Sequence, residues 1–566
     1  MKTEQRGATK ATEYVARLDV DGYSPPWDDF ASFFESRTDD DRTYLIAVSR
    51  TQGTRSEWTV AQWRNAVYNL ADEVTRHGVK AGDNVAVLAH NTPETLAFTF
   101  AVWLLGACVV PLDPREGDGR HREIMQDCAA RWIGVDAGPE SIARARRQES
   151  VEPIVISGLM STQRRGRPWI PAKPQTLEAP ALRMHTSGTS GRPKAIVIPM
   201  RSILLNSDAM KEAFGWTAET RVLTVLPISH ANGLLINSFL PWFAGGSTVL
   251  VDKFSGSTFW SIASETQATT SSIVPTVLEY LLAAEPGDHG KSVMKEVISG
   301  SGPLRATAAS EFEQRFGMPV RQLYGLSETT AVLTATRRGP DGFLEPRLRK
   351  SIGTAVPHAE VQVLDPNGAP CGPGERGEIV ARGGMLMTGY ANNDNANTEA
   401  FAGDWFHTGD RGYWERGSDG NIWFFLEGRL RESIVRGGLN IAPQLIDEVV
   451  ANHPLVQSAA AVPFANRWQG EEIAVFVIAK GNLTEPELLA WCAERLEPHM
   501  CPKVVIFGTE IPSTTVGKIR RTTLAQQLAG ELARYWDTSF RSGKTQESHA
   551  PANARQIERP GGPASS

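Results

Sequence analysis

Cysteine is scarce in this chain: there are five in 566 residues, with no CxxC pair and no Cys/His ligand spacing. Cys108, Cys128, Cys371, Cys492 and Cys501 offer neither a disulfide framework nor a zinc module, and a reducing, cytoplasmic setting is expected. An excess of one charge is lacking too. Lys and Arg number 58 against 64 Asp and Glu, a net charge of -6, so no positive field gathers nucleic acid or acidic lipid. Two arginine clusters, Arg144, Arg146, Arg147 and Arg164, Arg165, Arg167, have no interleaved aromatics and read as solvated surface. Long apolar runs are also missing. One long uncharged stretch, 95–112, is interrupted by Gly106 and Pro111, which favours a buried helix followed by a strand over a membrane span. The opening MKTEQRGATKATEY lacks the apolar core of an export signal. No internal repeat is visible.

What is present is alternation. WTVAQWRNAVYNLADEVTRHG precedes DNVAVLAHN, and ETLAFTFAVWLLG precedes ACVVPLD. Helical spacing followed by a short β-rich run predicts parallel sheets covered by helices. The pattern returns in GSTVLVDKF, in TTSSIVPTVLEYLLAAE and in MKEVISGSG, ahead of a helix over 305–316. From about Gly353 short strands and turns take over, with DPNG supplying a turn. The expected fold is α/β: a large N-terminal domain over 1–426, with helix-covered, mostly parallel sheets plus a β-rich subdomain, and a small, mobile α+β domain over 427–537. In the latter, AAAVPF and EIAVFVIAK read as strands. The stretch 538–566 is expected to be disordered, since from Arg541 onward it carries one large aliphatic residue, Ile557, too little to offset ordering entropy.

The sharpest local signal is HTSGTSGRPK at 185–194. Thr186, Ser187, Gly188, Thr189, Ser190 and Gly191 bring hydroxyl donors and closely approachable backbone N–H groups, and Lys194 adds a positive charge, a combination suited to cradling phosphate. The pattern GxxxxGK(S/T) fails, because Lys194 follows Pro193 and precedes Ala195, which argues against a P-loop kinase or motor ATPase.

This loop resembles the TSGTTGxPK signature of the adenylate-forming superfamily, which contains acyl-CoA synthetases, peptide-synthetase adenylation domains and luciferases. QLYGLSET (322–329), WFHTGD (405–410), GRLRESIVRGGLNI (428–441) and PSTTVGKIRR (512–521) follow in that family's order. The resemblance implies an AMP-forming acid:CoA ligase, which uses ATP, Mg2+ and CoA to convert a small carboxylic acid first to an acyl-adenylate and then to a thioester. By the same resemblance Glu328 holds Mg2+, as a hard oxygen ligand can. Tyr324 and Gly325, with Ser301, Gly302 and Pro303, lie along the adenine, and Ser327 contacts the α-phosphate. Asp410 holds the ribose hydroxyls, Arg429 the nucleotide, and Lys518 both the carboxylate and the α-phosphate, where it stabilises developing charge.

Gly437 and Gly438 in VRGGLNIAP resemble the CoA ligases, where glycine lets the pantetheine arm pass close to the backbone, and Trp468 in RWQGE resembles them as well. Arg431 stands at the family's hinge position. In PISHANG, His230, Asn232 and Gly233 are expected to face the acid, without the Asp that binds an amino acid's α-amine. Leu439 and Leu445 stand where the family usually has charge, which motivates alternatives: transfer to a carrier-protein thiol or an amine, or activation of a non-carboxylate oxyacid. A non-catalytic binding protein is a further alternative, opposed by the joint presence of Lys194, Glu328, Asp410, Arg429 and Lys518.

Overall fold

The computed structural model describes residues 22–540 apart from 89, 149–150, 157–159, 161–162, 164–175, 186–193, 286, 288, 339–341 and 514–518. Short polar caps set the helix starts. Thr59 accepts from Gln62 N and the Gln62 side chain returns the bond, opening the helix Val60–Arg76; Thr92 caps Pro93–Leu104, whose first residue is proline. Apolar strands follow, Asn84–Leu88 and Cys108–Leu112, which pair in parallel. The helix-then-strand reading of 95–112 therefore holds, and no described helix is long and apolar enough to cross a membrane.

One sheet of seven strands orders them as Gly389–Tyr390, Ala195–Pro199, Pro180–His185, Cys108–Leu112, Asn84–Leu88, Trp132–Val135 and Glu152–Val155. A second sheet has two textures. Val320–Tyr324, Glu296–Ser299, Thr270–Ile273, Arg221–Thr224, Ser247–Val251 and Thr43–Ser49 are successive parallel neighbours. Beyond Thr334–Ala335 every pairing is antiparallel, out to Gly377–Arg382 and Glu360–Leu364, which is the β-rich subdomain expected after Gly353.

Helices fill the space between the sheets with an aromatic layer. Phe34 stacks on Trp242 at 4.9 Å, Tyr44 meets Trp242 edge-on at 4.9 Å, and Phe100 packs on Phe239 at 5.9 Å. Truncating a fully buried ring such as Phe100 costs about 3–5 kcal/mol. Within this layer runs Asn232–Phe239, a buried π-helix that joins two packing clusters: Leu234, Leu235 and Phe239 enter the aromatic one, and Ile236 packs with Leu323 and Tyr324. Such wide turns are rare and frequent at functional sites. This one fixes His230 and Asn232 at its N-terminal end.

The small domain is α+β. Leu439–Ile441, Ile434–Arg436, Gly470–Ala479, Val456–Asn466 and Val504–Phe507 form its sheet, covered by Pro443–Ala451, Glu485–Ala493 and Arg521–Leu532. Two boundaries differ from expectation. Strand Ile422–Arg429 runs past 426, pairing Arg429 with Asp410, so the chain leaves the large sheet only after Arg429. At the other end Asn466 Nδ2 donates to Thr538 O at 3.0 Å and the Phe540 ring meets Phe464 at 6.4 Å, so the small domain extends through Phe540. One aromatic ring with an apolar face to cover orders these last residues. The remainder of the expected tail, 541–566, lies outside the described residues. All five cysteines are free, and burial pushes the thiols of Cys108, Cys128 and Cys492 up to about 12.

Candidate active site

A cleft of about 1950 Å³ runs between the two domains. One wall is the C-terminal end of Val320–Tyr324, where the large sheet changes from parallel to antiparallel; ligands of open α/β sheets sit outside the carboxyl ends of the strands. There the Tyr324 hydroxyl donates to Asp410 Oδ2 at 2.7 Å, and Arg429 Nε meets Asp410 Oδ1 at 2.8 Å. Burial, reinforced by the Asp410 charge, pushes the Tyr324 hydroxyl well above its ordinary value. Burial opposes the charge of Arg429, but Asp410, Tyr324, Glu328 and Glu432 outweigh it and hold the guanidinium above its usual range. The three groups form one fixed chain. Behind them Glu378 accepts from Gly409 N at 2.8 Å and pairs with His407 Nδ1 at 2.8 Å, which sets the HTGD turn.

Glu328 sits in the short helix Ser327–Thr329 after Gly325, where an added Cβ would come 2.1 Å from Ala331 O and only glycine fits. Its Oε1 accepts from the Tyr390 hydroxyl at 2.9 Å, and Lys194 Nζ lies 4.6 Å from the centre of the Tyr390 ring. Tyr390 thus joins two residues that the sequence reading treated separately. Sequence reasoning missed it, although the MTGY tyrosine next to a strand glycine was the available signal. His185 Nε2 meets Asp127 Oδ2 at 3.1 Å, anchoring the end of the strand Pro180–His185. Thr186 to Gly191 of that segment, and Lys518, lie outside the described residues.

At the other end the wall includes Ser229, His230, Ser301, Gly302 and Pro303. Ser301 adopts a left-handed φ of 65°, uncommon for a residue with a side chain. His230 Nε2 meets Asp113 Oδ2 at 3.1 Å, and Asp113 also accepts from Arg115 at 2.6 and 2.9 Å. Burial works against ionisation of Asp113, but the bonds from His230 and Arg115 prevail and hold the carboxyl far below the usual range. Asp113 was not legible as a site residue, because DPRE after a strand reads as an ordinary turn. Asn232 lies behind the wall: its Oδ1 accepts from Ser272 Oγ at 2.8 Å and from Asn237 Nδ2 at 3.3 Å, and its Nδ2 is 3.5 Å from Ser301 Oγ. Gly233 faces backbone, where a Cβ would come 2.2 Å from Pro227 O. Close packing accounts for that glycine.

The small domain presents Ile519, Arg520 and Arg521 to the cleft. Gly437 and Gly438 are not gathered with Tyr324, Asp410 and Arg429; they are exposed in the turn after Ile434–Arg436, with Gly437 N donating to Gln469 O at 2.8 Å. Leu439 and Trp468 are each 51% exposed. Arg431 lies in the turn Leu430–Glu432, exposed, with Glu399 Oε2 at 3.6 Å.

A family model described as AMP-binding enzyme matches residues 34–391, and one described as AMP-binding enzyme C-terminal domain matches 445–518. The sulfoacetate–CoA ligase of Cupriavidus necator is 31% identical over 460 residues, covering 79% of this chain and 88% of that protein. The indoleacetate–CoA ligase of Aromatoleum aromaticum is 29% identical over 484 residues, 83% of this chain and 93% of its own length. Among solved structures, O-succinylbenzoate coenzyme A synthetase from Bacillus subtilis, in complex with ATP and magnesium, superposes with a TM-score of 0.75 at 25% identity, over 87% of this chain and 98% of the other.

Proposed function

We propose that this chain, which belongs to the AMP-binding enzyme family and is an AMP-forming acid:CoA ligase, reads ATP at the Tyr324–Asp410–Arg429 end of the cleft and its acid at the Ser229–His230 end. In the first half-reaction a carboxylate oxygen attacks the α-phosphorus, a P–O bond to the β-phosphate breaks, and pyrophosphate leaves. In the second, the CoA sulfur attacks the acyl carbon, AMP leaves, and the thiol proton passes to solvent. An ordinary carboxylate is a poor acylating agent, and adenylation supplies the better leaving group.

Each role follows from chemistry. Asp410 is an acceptor already oriented by Tyr324 and Arg429, so the ribose hydroxyls meet a fixed carboxylate. Arg429 brings a positive charge beside the same nucleotide. Lys194 and the segment 186–191 hold phosphate oxygens, Tyr324 and Gly325 with Ser301, Gly302 and Pro303 line the adenine, and Ser327 offers its hydroxyl to the α-phosphate. Glu328 is half-buried with Tyr390 engaging only Oε1, and with Ser327 it makes an all-oxygen donor set that fits a hard cation. Mg2+ held there neutralises phosphate charge. Lys518 serves the carboxylate and the α-phosphate together. Gly437 and Gly438 meet the pantetheine arm once the small domain has turned about Arg431. The two relatives named are CoA ligases, and nothing about them supports a carrier-protein or amine acceptor. Both are named for small acids, which is the substrate class inferred here.

The observation that supports this reading best is the Tyr324–Asp410–Arg429 chain inside a cleft that the 519–521 segment closes. Its test is pyrophosphate release across carboxylic acids with and without CoA, with products identified by mass. Catalytic turnover only with CoA, and an acyl-CoA product, is expected. Turnover without acyl-CoA would overturn the assignment of the acceptor.

A further inference from the structure

Three stretches of chain that are far apart in sequence meet at Tyr390. Strand Gly389–Tyr390 pairs antiparallel with Ala195–Pro199, the strand that begins directly after Lys194, and Ala391 N donates to Ala195 O at 2.8 Å. From the other direction Met387 N donates to Glu328 O at 2.8 Å and Thr330 Oγ1 donates to Met385 O at 2.6 Å, which ties the short helix Ser327–Thr329 to the same segment. The Tyr390 side chain then joins what the backbone has brought together. Its ring centre lies 4.6 Å from Lys194 Nζ, its hydroxyl donates to Glu328 Oε1 at 2.9 Å, and all three residues line the cleft.

Tyrosine suits both contacts at once. The face of its ring attracts a cation, while the hydroxyl at the ring's edge donates to an anion. Burial, and after it the Glu328 charge, push that hydroxyl well above its ordinary value, so it stays a donor. The ring packs against the aromatic layer of the core. Its backbone is clamped at both polar groups: Tyr390 N donates to Asn397 Oδ1 at 2.7 Å, and Asn397 Nδ2 donates to Tyr390 O at 2.9 Å. Gly389, at a φ of 145°, makes room for the clamp, since a Cβ there would come 2.9 Å from Asn397 Oδ1. A carboxylate gripped at one oxygen by so fixed a donor holds its orientation before any cation arrives.

We propose that Tyr390 is a positioning residue that sets the cation-binding carboxylate against the phosphate-binding lysine: its hydroxyl orients Glu328, its ring orients Lys194, and Asn397 holds it in register with both. This rests on the roles proposed above for Glu328 and Lys194. The two contacts are separable, because the hydroxyl serves only the carboxylate and the ring serves the ammonium. Loss of the hydroxyl alone therefore weakens the grip on the cation and spares the metal-free nucleotide. Loss of the ring as well weakens both.

The test is a binding measurement on the full chain: calorimetric titration with ATP, no acid present, in a chelator and then over a series of Mg2+ concentrations, with Mn2+ followed by its paramagnetic resonance as a second probe. In the unaltered chain Mg2+ should tighten ATP. Tyr390→Phe should raise the Mg2+ concentration that gives half of this tightening about tenfold, and release Mn2+ to match, while the Kd for ATP in chelator stays within about twofold. Tyr390→Leu should in addition raise the Kd in chelator about threefold. Asn397→Ala should follow Tyr390→Phe with a smaller shift, and it carries the test if Tyr390→Phe fails to fold. In a Glu328→Gln background Tyr390→Phe should have no further effect on the Mg2+ requirement, as expected of two residues acting through one contact. An unchanged Mg2+ requirement in Tyr390→Phe, or an equal loss of ATP affinity with and without the metal, overturns the proposal and leaves the Glu328 assignment standing. No tightening by Mg2+ in the unaltered chain removes that assignment and the proposal with it.

Discussion

The two ends of the cleft are built in opposite ways. At the end proposed for the nucleotide the charged groups are bonded to one another before any ligand arrives: Tyr324 to Asp410, Asp410 to Arg429, and Tyr390 to Glu328. At the end proposed for the acid the Ser229 hydroxyl has no hydrogen-bond partner among the described residues, while Asp113 is saturated. A ligand that every turnover requires can be met by a rigid, self-paired frame, because orientation set in advance lowers the cost of binding. A ligand that distinguishes one ligase from another needs unmet hydrogen bonds, since a wrong acid is rejected by leaving those groups unpaired.

The sharpest way to break this contrast is to remove the group proposed to serve both ends. Lys518→Ala should slow acyl-adenylate formation about 10²–10³-fold, while thioester formation from supplied acyl-adenylate stays largely intact. Equal loss in both half-reactions would mean that its role is assigned wrongly. Next comes the rigid end alone. Asp410→Asn weakens charge-assisted bonds to ribose and should raise the KM for ATP about 10–100-fold with little change in the acid's KM. A shift confined to the acid would erase the distinction between the ends. Arg431→Pro leaves both ends in place but stiffens the turn between the domains. It should depress the CoA step about tenfold and pyrophosphate release much less, as read by single-turnover assays of each half-reaction. The smallest effect concerns the support of the HTGD turn. Glu378 raises the His407 pKa, with burial opposing. The pair's stabilisation is therefore full below the unfolded imidazole value of about 6.5 and is lost as pH rises through the higher folded value. With both side chains partly solvated, His407→Gln should cost below about 1 kcal/mol near pH 6 and nothing near pH 9, as read by Tm.

Much of the nucleotide end was legible in the sequence, because its residues lie in short contiguous segments whose glycines and turns demand particular residue types. YGLSE is such a case: Gly325 has backbone where a side chain would stand. The α/β class was legible as well, from helical spacing alternating with apolar runs. What escaped was pairing across distance. Tyr390 bridges toward Glu328 and Lys194, and Asp113 reaches His230, each from a separate strand end with no local pattern to mark it. The strand Ile422–Arg429 runs past the expected domain boundary at 426 for the same reason, since Arg429 is held in the ladder by Asp410 on the neighbouring strand. Phe540 lay beyond the expected end of the small domain because the ring it covers, Phe464, is far away in sequence.

That strand end also carries a mechanical load. Glu427 is gripped by Arg376 at 3.0 Å and Arg411 at 3.2 Å, and two residues further on Arg429 is bolted to Asp410. A lever needs a bearing that stays still, and these ion pairs make the last three residues of the strand that bearing. On the proposed hinge reading, torque from the small domain would reach Leu430–Glu432 and stop there, its swing taken up by one exposed turn. Arg429, one residue short of that turn, belongs to the fixed frame. On that reading the small domain would exchange the face it turns to the cleft while the groups proposed to hold the nucleotide keep their alignment.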